Sequence, residues 1–219
     1  KTREMVDELT TAMDDHDLTG ACQVVRRFLD ATNNWWIRRS RERFWKAEHD
    51  QDKQDAYDTL YTWLEVLCRA ISPLLPLITE EVWKGLTGGH SVHLEDWPDA
   101  SVLPDDPELV ADMDRVRGIC SAGLAVRSET NIRVRQPLAK LTVAGAGTDR
   151  LNDFFDLVRD EVNVKEIAVT EDLESLASFD LAVNARALGP RMGKEMKTVI
   201  TASKKGDWER NAEGRIVVA

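Results

Sequence analysis

Apolar residues recur at helical spacing through about the first 130 residues and at strand spacing only beyond that point. Within residues 2–16, Met5, Leu9 and Met13 stand four apart, the stripe of an amphipathic helix. A second helical stretch runs over about residues 18–46 and a third over 54–71. Ser72-Pro73-Leu74-Leu75-Pro76 interrupts the pattern, because proline removes a backbone donor and crowds the turn before it. Thr79-Glu80-Glu81 then offers an N-cap with acids in the next turn, leading into Val82-Trp83. Residues 88–107, with a glycine pair and three prolines, read as loop, and 108–129 as a further helix.

After this the period changes. Residues 138–143 alternate as a strand, 148–162 are helical and 166–169 are strand-like, with Gly145-Ala146-Gly147 making the turn after the first strand. A short strand is predicted at 182–184, a helix at 190–203 and a last strand at 216–218. The expected architecture is a mostly α N-terminal helical bundle, residues 1–130, followed by a small α+β domain, residues 131–219. The opening Lys1-Thr2-Arg3-Glu4-Met5 reads as mid-helix and the ending Arg215-Ile216-Val217-Val218-Ala219 as an unfinished strand. Both ends predict a fragment of a longer chain, truncated in its second domain and without a signal peptide.

Composition narrows the class. With 42% apolar and 31% charged residues the chain has the balance of a folded globular protein. No apolar run approaches the roughly 20 residues that span a bilayer, so no membrane partner is expected and the chain reads as cytoplasmic. Three cysteines, Cys22, Cys68 and Cys120, lie far apart in helical patterns, which disfavours a disulfide framework or a zinc site and predicts reduced, buried thiols. A net charge of −10 argues against a general nucleic-acid coat, unless the basic residues are gathered on one surface.

They are gathered in residues 26–46, RRFLDATNNWWIRRSRERFWK, with seven basic residues against two acidic ones. At 100° per residue, Val24, Val25, Phe28, Leu29, Thr32, Trp35 and Trp36 fall within about 140° of one another, a stripe for a bundle core. Arg27, Asn34, Arg38, Arg41 and Trp45 fall within about 60° of one another on a second, cationic side. Guanidinium groups meet phosphate oxygens through paired hydrogen bonds, and an exposed aromatic ring is a platform for an unpaired base. This face therefore suits an RNA backbone with a loop nearby. The competing reading is a solvated face paired with acids such as Glu48, Asp50 and Asp52. The same rotation aligns Arg39 and Arg43 with the apolar stripe, so these two are expected to bridge helices. A second basic run, Arg127 to Gln136, places Arg133 and Arg135 on one side of an extended segment as a further phosphate contact. A third, Arg186 to Lys205 with Arg191, Lys194, Lys197, Lys204 and Lys205, reads as a solubilising helix face.

Asn33-Asn34-Trp35-Trp36-Ile37-Arg38-Arg39-Ser40-Arg41-Glu42-Arg43-Phe44-Trp45 closely resembles the opening of the anticodon-binding helical domain of isoleucyl-tRNA synthetases. Ser72-Pro73-Leu74-Leu75-Pro76-Leu77-Ile78-Thr79-Glu80-Glu81-Val82-Trp83 is similar to a segment shared by the class I synthetases for Ile, Val, Leu and Met. Asn131-Ile132-Arg133-Val134-Arg135-Gln136-Pro137-Leu138 and Glu161-Val162-Asn163-Val164-Lys165-Glu166-Ile167 resemble the isoleucyl group specifically. The resemblance covers roughly residues 20–170. It implies a bundle along the anticodon stem, a mixed domain that helps hold the loop, and as partners an isoleucine-accepting tRNA and the remainder of the synthetase. On that basis Arg27, Arg38 and Arg41 are expected to position the stem, with Trp45 or a junction residue meeting an unstacked base.

The parent enzyme's chemistry needs HIGH-type and KMSKS-type motifs, and neither string occurs here. This stretch is therefore expected to be no enzyme by itself and to hold no cofactor, with ATP and magnesium belonging to the catalytic domain of the parent ligase. Gly189-Pro190-Arg191-Met192-Gly193-Lys194 has three residues between its glycines, and Glu195 stands where Ser or Thr would bind magnesium, so it is no phosphate loop. His90 and His93 lie near Glu95 and Asp96 in a loop without a cysteine, a poor metal site. Two alternatives stay open: an interaction scaffold that docks to the catalytic core, and the equivalent module of a valyl or leucyl enzyme.

Overall fold

The computed structural model describes residues 1–46, 48–145, 147–172, 181–211 and 216–218. Ala146 of the predicted glycine turn lies outside the described residues, as do Arg215 and Ala219 of the chain end. The chain divides into two compact units, Lys1–Val126 and Arg127–Ala219.

The first unit is a helical bundle. Helix α1 (Thr2–Asp14) and α2 (Leu18–Leu29) lead into a π-helical segment (Asp30–Ile37), a short α3 (Arg41–Trp45), and then α4 (Gln51–Ile71) and α5 (Pro76–Thr87). Its core gathers Met5, Val6 and Leu9 of α1, Val24, Val25 and Phe28 of α2, and Trp63, Val66, Leu67 and Ile71 of α4. Phe28 meets Trp63 edge-to-face with ring centroids 5.8 Å apart. A smaller cluster of Cys68, Trp83 and Val92 seats α5 on α4. Helix α6 (Pro107–Glu129) follows the loop. Cys68 and Cys120 are buried as expected, whereas Cys22 is exposed. It lies outside the α2 stripe of Ala21, Val24, Val25 and Phe28.

Three predicted boundaries are corrected. The stretch 18–46 is not one α-helix: i→i+5 hydrogen bonding takes over at Asp30. The hydroxyl of buried Thr32 donates to the carbonyl of Phe28 at 2.9 Å, a back-bond that competes with the α ladder and bends helices. Helix α4 starts before Gln54 because Asp50 caps it, its carboxylate accepting the Lys53 amide at 2.9 Å. Thr79 is no N-cap. Helix α5 begins at Pro76, whose fixed φ suits the first helical position, and Thr79 is buried inside it with its hydroxyl on the Leu75 carbonyl.

Glu80 serves the loop that follows α5. Gly88 adopts φ 68°, open to glycine without strain, and ends the helix. The chain then returns so that the Glu80 carboxylate accepts from Lys84 Nζ at 2.9 Å, Ser91 Oγ at 2.9 Å and the Val92 amide at 3.0 Å. The Lys84 ammonium first, then the Ser91 hydroxyl and Val92 amide, hold its carboxyl down to about 2. Because the folded value is depressed, these contacts are fully present above the ordinary glutamate range and are lost as pH falls toward about 2. The Val92 amide chemical shift is accordingly expected to stay constant down to about pH 3 and to titrate only below it, and Glu80→Ala abolishes that titration.

The second unit contains a βαβ arrangement. Strand β1 (Leu138–Ala144) pairs in parallel with β2 (Val164–Thr170), in the register Leu138↔Val164 through Ala144↔Thr170. Their crossover is a 3₁₀ stretch (Thr148–Phe154) and helix α7 (Phe155–Val162), which bury Leu151, Phe155, Val158 and Val162. Residues 182–184 are coil, not strand: the Asn184 side chain accepts the Ala187 amide and caps α8 (Ala185–Met192). The predicted helix 190–203 is two helices, α8 and α9 (Met196–Lys205), parted at Gly193 with φ 48°. The last strand, β4 (Ile216–Val218), pairs antiparallel with β3 (Trp208–Arg210), a strand too short for its pattern to stand out in the sequence. No helix among the described residues is long and apolar enough to cross a membrane.

Candidate nucleic-acid interface

The π-helical segment decides which basic side chains face outward together. Its i→i+5 bonds hold more residues per turn than an α-helix, so each residue rotates by less than 100°. The lag accumulates over its eight residues, and Ser40 breaks the helix again before α3. A single α-helical wheel therefore cannot put Arg27 and Asn34 on one face with Arg41 and Trp45. The apolar stripe before the segment stands as predicted, with Val24, Val25 and Phe28 buried, and Thr32 in the segment's first turn is buried too.

Partners separate the basic residues further. Arg27 donates to Glu8 of α1 at 2.6 Å, and Asn34 is turned back onto Asp30 at 2.8 Å. Arg43 bridges to Asp52 of α4 at 2.8 Å, the helix-bridging role expected of it. Lys46 reaches both Asp50 and Asp52, at 2.7 and 2.8 Å, and its ammonium holds both carboxyls below the usual carboxylate range. Of the predicted cationic face, Arg27 is thus paired with an acid, though with Glu8 of α1 and not with Glu48, Asp50 or Asp52. Asp50 and Asp52 are taken by Lys46 and Arg43. Arg39 lies over the Trp35 ring, 5.3 Å from its centroid.

Arg38 and Arg41 are both exposed, and Arg41 shares the short helix α3 with Trp45, one turn away. Arg38 Nε donates to the Asn34 carbonyl at 2.8 Å, which aligns the side chain along the helix. Arg41 has no hydrogen-bond or ion-pair partner among the described residues. Trp45 is 82% exposed, against 5% for Trp63 and for Trp83. A large apolar ring held in water is costly unless something covers it. The adjacent Phe44 is the anchor: its ring meets Trp36 at 5.8 Å and Tyr57 of α4 at 5.2 Å, both edge-to-face. Tyr57 and Tyr61, one helical turn apart on α4, are half-exposed and were not singled out from the sequence, although their i, i+4 spacing marks one helix face.

The second basic run is a turn, not the extended segment predicted. Asn131 takes φ 56°, and the Gln136 amide closes onto the Arg133 carbonyl at 2.9 Å. The cause is Arg127. Its guanidinium, only 2% exposed, donates to the carbonyls of Arg133 at 3.1 Å, Gln136 at 3.0 Å and Asn163 at 2.8 Å. Asn163, itself left-handed at φ 54°, returns a bond to the Val134 carbonyl at 2.8 Å. Arg127 is thus a clamp within the fold and not a surface cation. Arg133 and Arg135 project from the clamped turn, both exposed. In the third run Lys197, Lys204 and Lys205 are exposed, while the side chains of Arg191 and Lys194 lie outside the described residues.

No group of three or more His, Cys, Asp or Glu among the described residues is arranged to hold a metal ion. Arg38, Arg41 and the Trp45 indole are exposed on the first unit, and Arg133 and Arg135 are exposed on the second. Such groups can bind phosphates and stack on a base.

Residues 1–143 match the family described as the anticodon-binding domain of tRNA ligase. The chain is similar to isoleucine–tRNA ligase of Nocardia farcinica, 51% identical over 219 residues, which are 100% of this chain and 20% of that protein. It is likewise similar to the isoleucine–tRNA ligases of Corynebacterium efficiens, 47% identical over 97% of this chain and 20% of that protein, and Mycobacterium leprae, 48% identical over 96% and 19%. The chain spans about one fifth of the length of these curated relatives.

Proposed function

The chain belongs to the anticodon-binding domain family of tRNA ligases, and from that premise we propose that it grips the anticodon stem and loop of an isoleucine-accepting tRNA as one part of an isoleucine–tRNA ligase. The observation that carries this reading is Trp45, exposed on a short anchored helix that also carries the exposed Arg41. The arginines hold backbone phosphates and fix register, and the indole stacks on an unpaired loop base. Arg133 and Arg135 supply a further phosphate contact. The identity of the amino acid rests on similarity along nearly the whole chain to isoleucine–tRNA ligases, not on any residue that reads a base.

In this reading the chain performs no catalysis and holds no cofactor; ATP and magnesium belong to the catalytic part of the ligase, and the protein works in the cytoplasm. Binding energy gathered at the anticodon helps seat the distant acceptor end at the active site. A second reading, docking to the rest of the ligase, is favoured by the first turn of α5, where Leu77 is 84% exposed beside the exposed Ile78. The two surfaces are made of different residues and both can operate in one protein.

Binding of the chain to an isoleucine tRNA transcript across a salt series tests the RNA reading. With about four phosphates neutralised, log K is expected to fall linearly with log salt at a slope of roughly −3. Salt-independent association, or none, contradicts it.

A further inference from the structure

We infer that Asp52 is a positioning residue for Trp45: from α4 it fixes the ring at which a loop base stacks, even though its own charge repels RNA. The inference rests on the reading of Trp45 as an RNA contact.

Helix α3 has five residues and no side-chain N-cap. Isolated helices shorter than about 12 residues are marginal in water, so this one takes its geometry from its neighbours. On its inner side the Phe44 ring supplies that, between Trp36 and Tyr57. Its exit is fixed by Asp52, whose carboxylate and main-chain carbonyl accept from Arg43 and Lys46, the two residues flanking Phe44 and Trp45. Oδ1 accepts Arg43 Nε at 2.8 Å, the main-chain carbonyl accepts Arg43 Nη2 at 3.0 Å, and Oδ2 accepts Lys46 Nζ at 2.8 Å. Asp50 holds only Lys46 and otherwise caps α4, and buried Lys53 donates to the Lys46 carbonyl at 2.8 Å. Asp52 is therefore the carboxylate that ties residue 43 to residue 46, with Trp45 between them.

Exposed ion pairs contribute little to stability one by one. What this arrangement supplies is orientation. The arms on either side of the indole are drawn down onto α4, and the ring stands out into water at a fixed place. A contact group fixed beforehand loses less freedom when its ligand arrives, which raises affinity without adding a contact.

Charge and positioning predict opposite results for Asp52→Asn. Removing a negative charge beside a phosphate backbone should tighten binding through electrostatics alone. Releasing Trp45 should weaken it, by about fivefold for one side chain that must then be immobilised on binding. The experiment measures affinity for an RNA hairpin carrying the isoleucine tRNA anticodon arm in wild type, Asp52→Asn, Trp45→Ala and the double variant. Melting curves and far-ultraviolet circular dichroism report the fold. In parallel, 5-fluorotryptophan labelling follows the ¹⁹F line that Trp45→Ala deletes.

Trp45→Ala is expected to weaken binding, and Asp52→Asn to weaken it about fivefold while narrowing the Trp45 line and leaving those of Trp63 and Trp83 in place. In the Trp45→Ala background the loss from Asp52→Asn disappears, and Asp52→Glu restores most of the affinity. If Trp45→Ala leaves affinity unchanged, the stacking reading falls and the positioning role falls with it. If Trp45→Ala weakens binding but Asp52→Asn leaves it equal or tighter, the stacking reading stands and the positioning role is overturned. Equal losses from Asp52→Asn in both backgrounds overturn it as well, since Asp52 would then act independently of the ring.

Discussion

Replacing Arg38 and Arg41 together by glutamate is expected to weaken tRNA binding about a hundredfold or more at physiological salt. Each guanidinium–phosphate contact is a charge-assisted hydrogen bond worth about 1.5–3 kcal/mol, and the introduced carboxylates add repulsion. Both side chains are exposed, so the fold bears the change at little cost, within about 0.5 kcal/mol for surface positions. The slope of log K against log salt should become shallower by about 2, one for each lost phosphate contact. Filter binding or fluorescence anisotropy on the wild type and double variant measures both quantities. Association with the rest of the ligase, if it runs through Leu77 and Ile78, is expected to be unaffected. A double variant that binds tRNA normally would remove these arginines from the interface. The control is Arg27→Glu, predicted to matter less for RNA than Arg41→Glu because Arg27 already pairs with Glu8.

The second large effect is on stability. Arg127→Met removes a buried guanidinium that serves three carbonyls, those of Arg133, Gln136 and Asn163. Methionine fills much of the volume but donates nothing. Buried acceptors left unpaired cost about 1–3 kcal/mol each, so a loss of about 3–5 kcal/mol is expected in the second unit. Arg127→Lys should recover only part of this, because one ammonium cannot reproduce a planar fork that reaches three acceptors. Hydrogen exchange measures it: protection should fall across residues 131–137 and at the start of β2, while α4 amides keep theirs. Binding should also decline, since the turn that carries Arg133 and Arg135 loses its clamp.

These two arginine sites show what a sequence discloses and what it does not. The helices of the first unit were readable because burial imposes a period: Met5 and Leu9, then Val24, Val25 and Phe28, repeat at helical spacing and all are buried. The βαβ element was readable for the same reason, its alternation switching to a helical period and back between β1 and β2. The π-helical segment was not. Asp30 to Ile37 contains no proline or glycine to mark a break, and one back-bonded threonine is a weak signal. The consequence fell directly on the candidate site, because a helical wheel assumes the rotation that this segment changes.

The fate of each basic residue was legible only in part. Asp50 and Asp52 were visible as possible partners, yet composition could not say that Arg43 and Lys46 would take them while Arg41 would not. Arg127, Arg133 and Arg135 look alike in sequence, and only the packing around Arg127 distinguishes a structural clamp from two projecting cations. Thr79 had the residue type and neighbours of an N-cap, but Pro76 starts the helix earlier and leaves it inside. Trp45 is the reverse case: its exposure follows from Phe44, its neighbour, taking the inward position on a helix one turn long.

The most direct test of the central claim compares two transcripts on the same protein: an isoleucine tRNA and the same molecule with its anticodon bases replaced, titrated with this chain across a series of salt concentrations. Binding to both is expected to be salt-sensitive, with the altered anticodon bound modestly more weakly at every salt because bases differ in how strongly they stack on the Trp45 ring. Equal affinity for the two transcripts would contradict anticodon recognition by these residues and leave a surface that holds only the backbone.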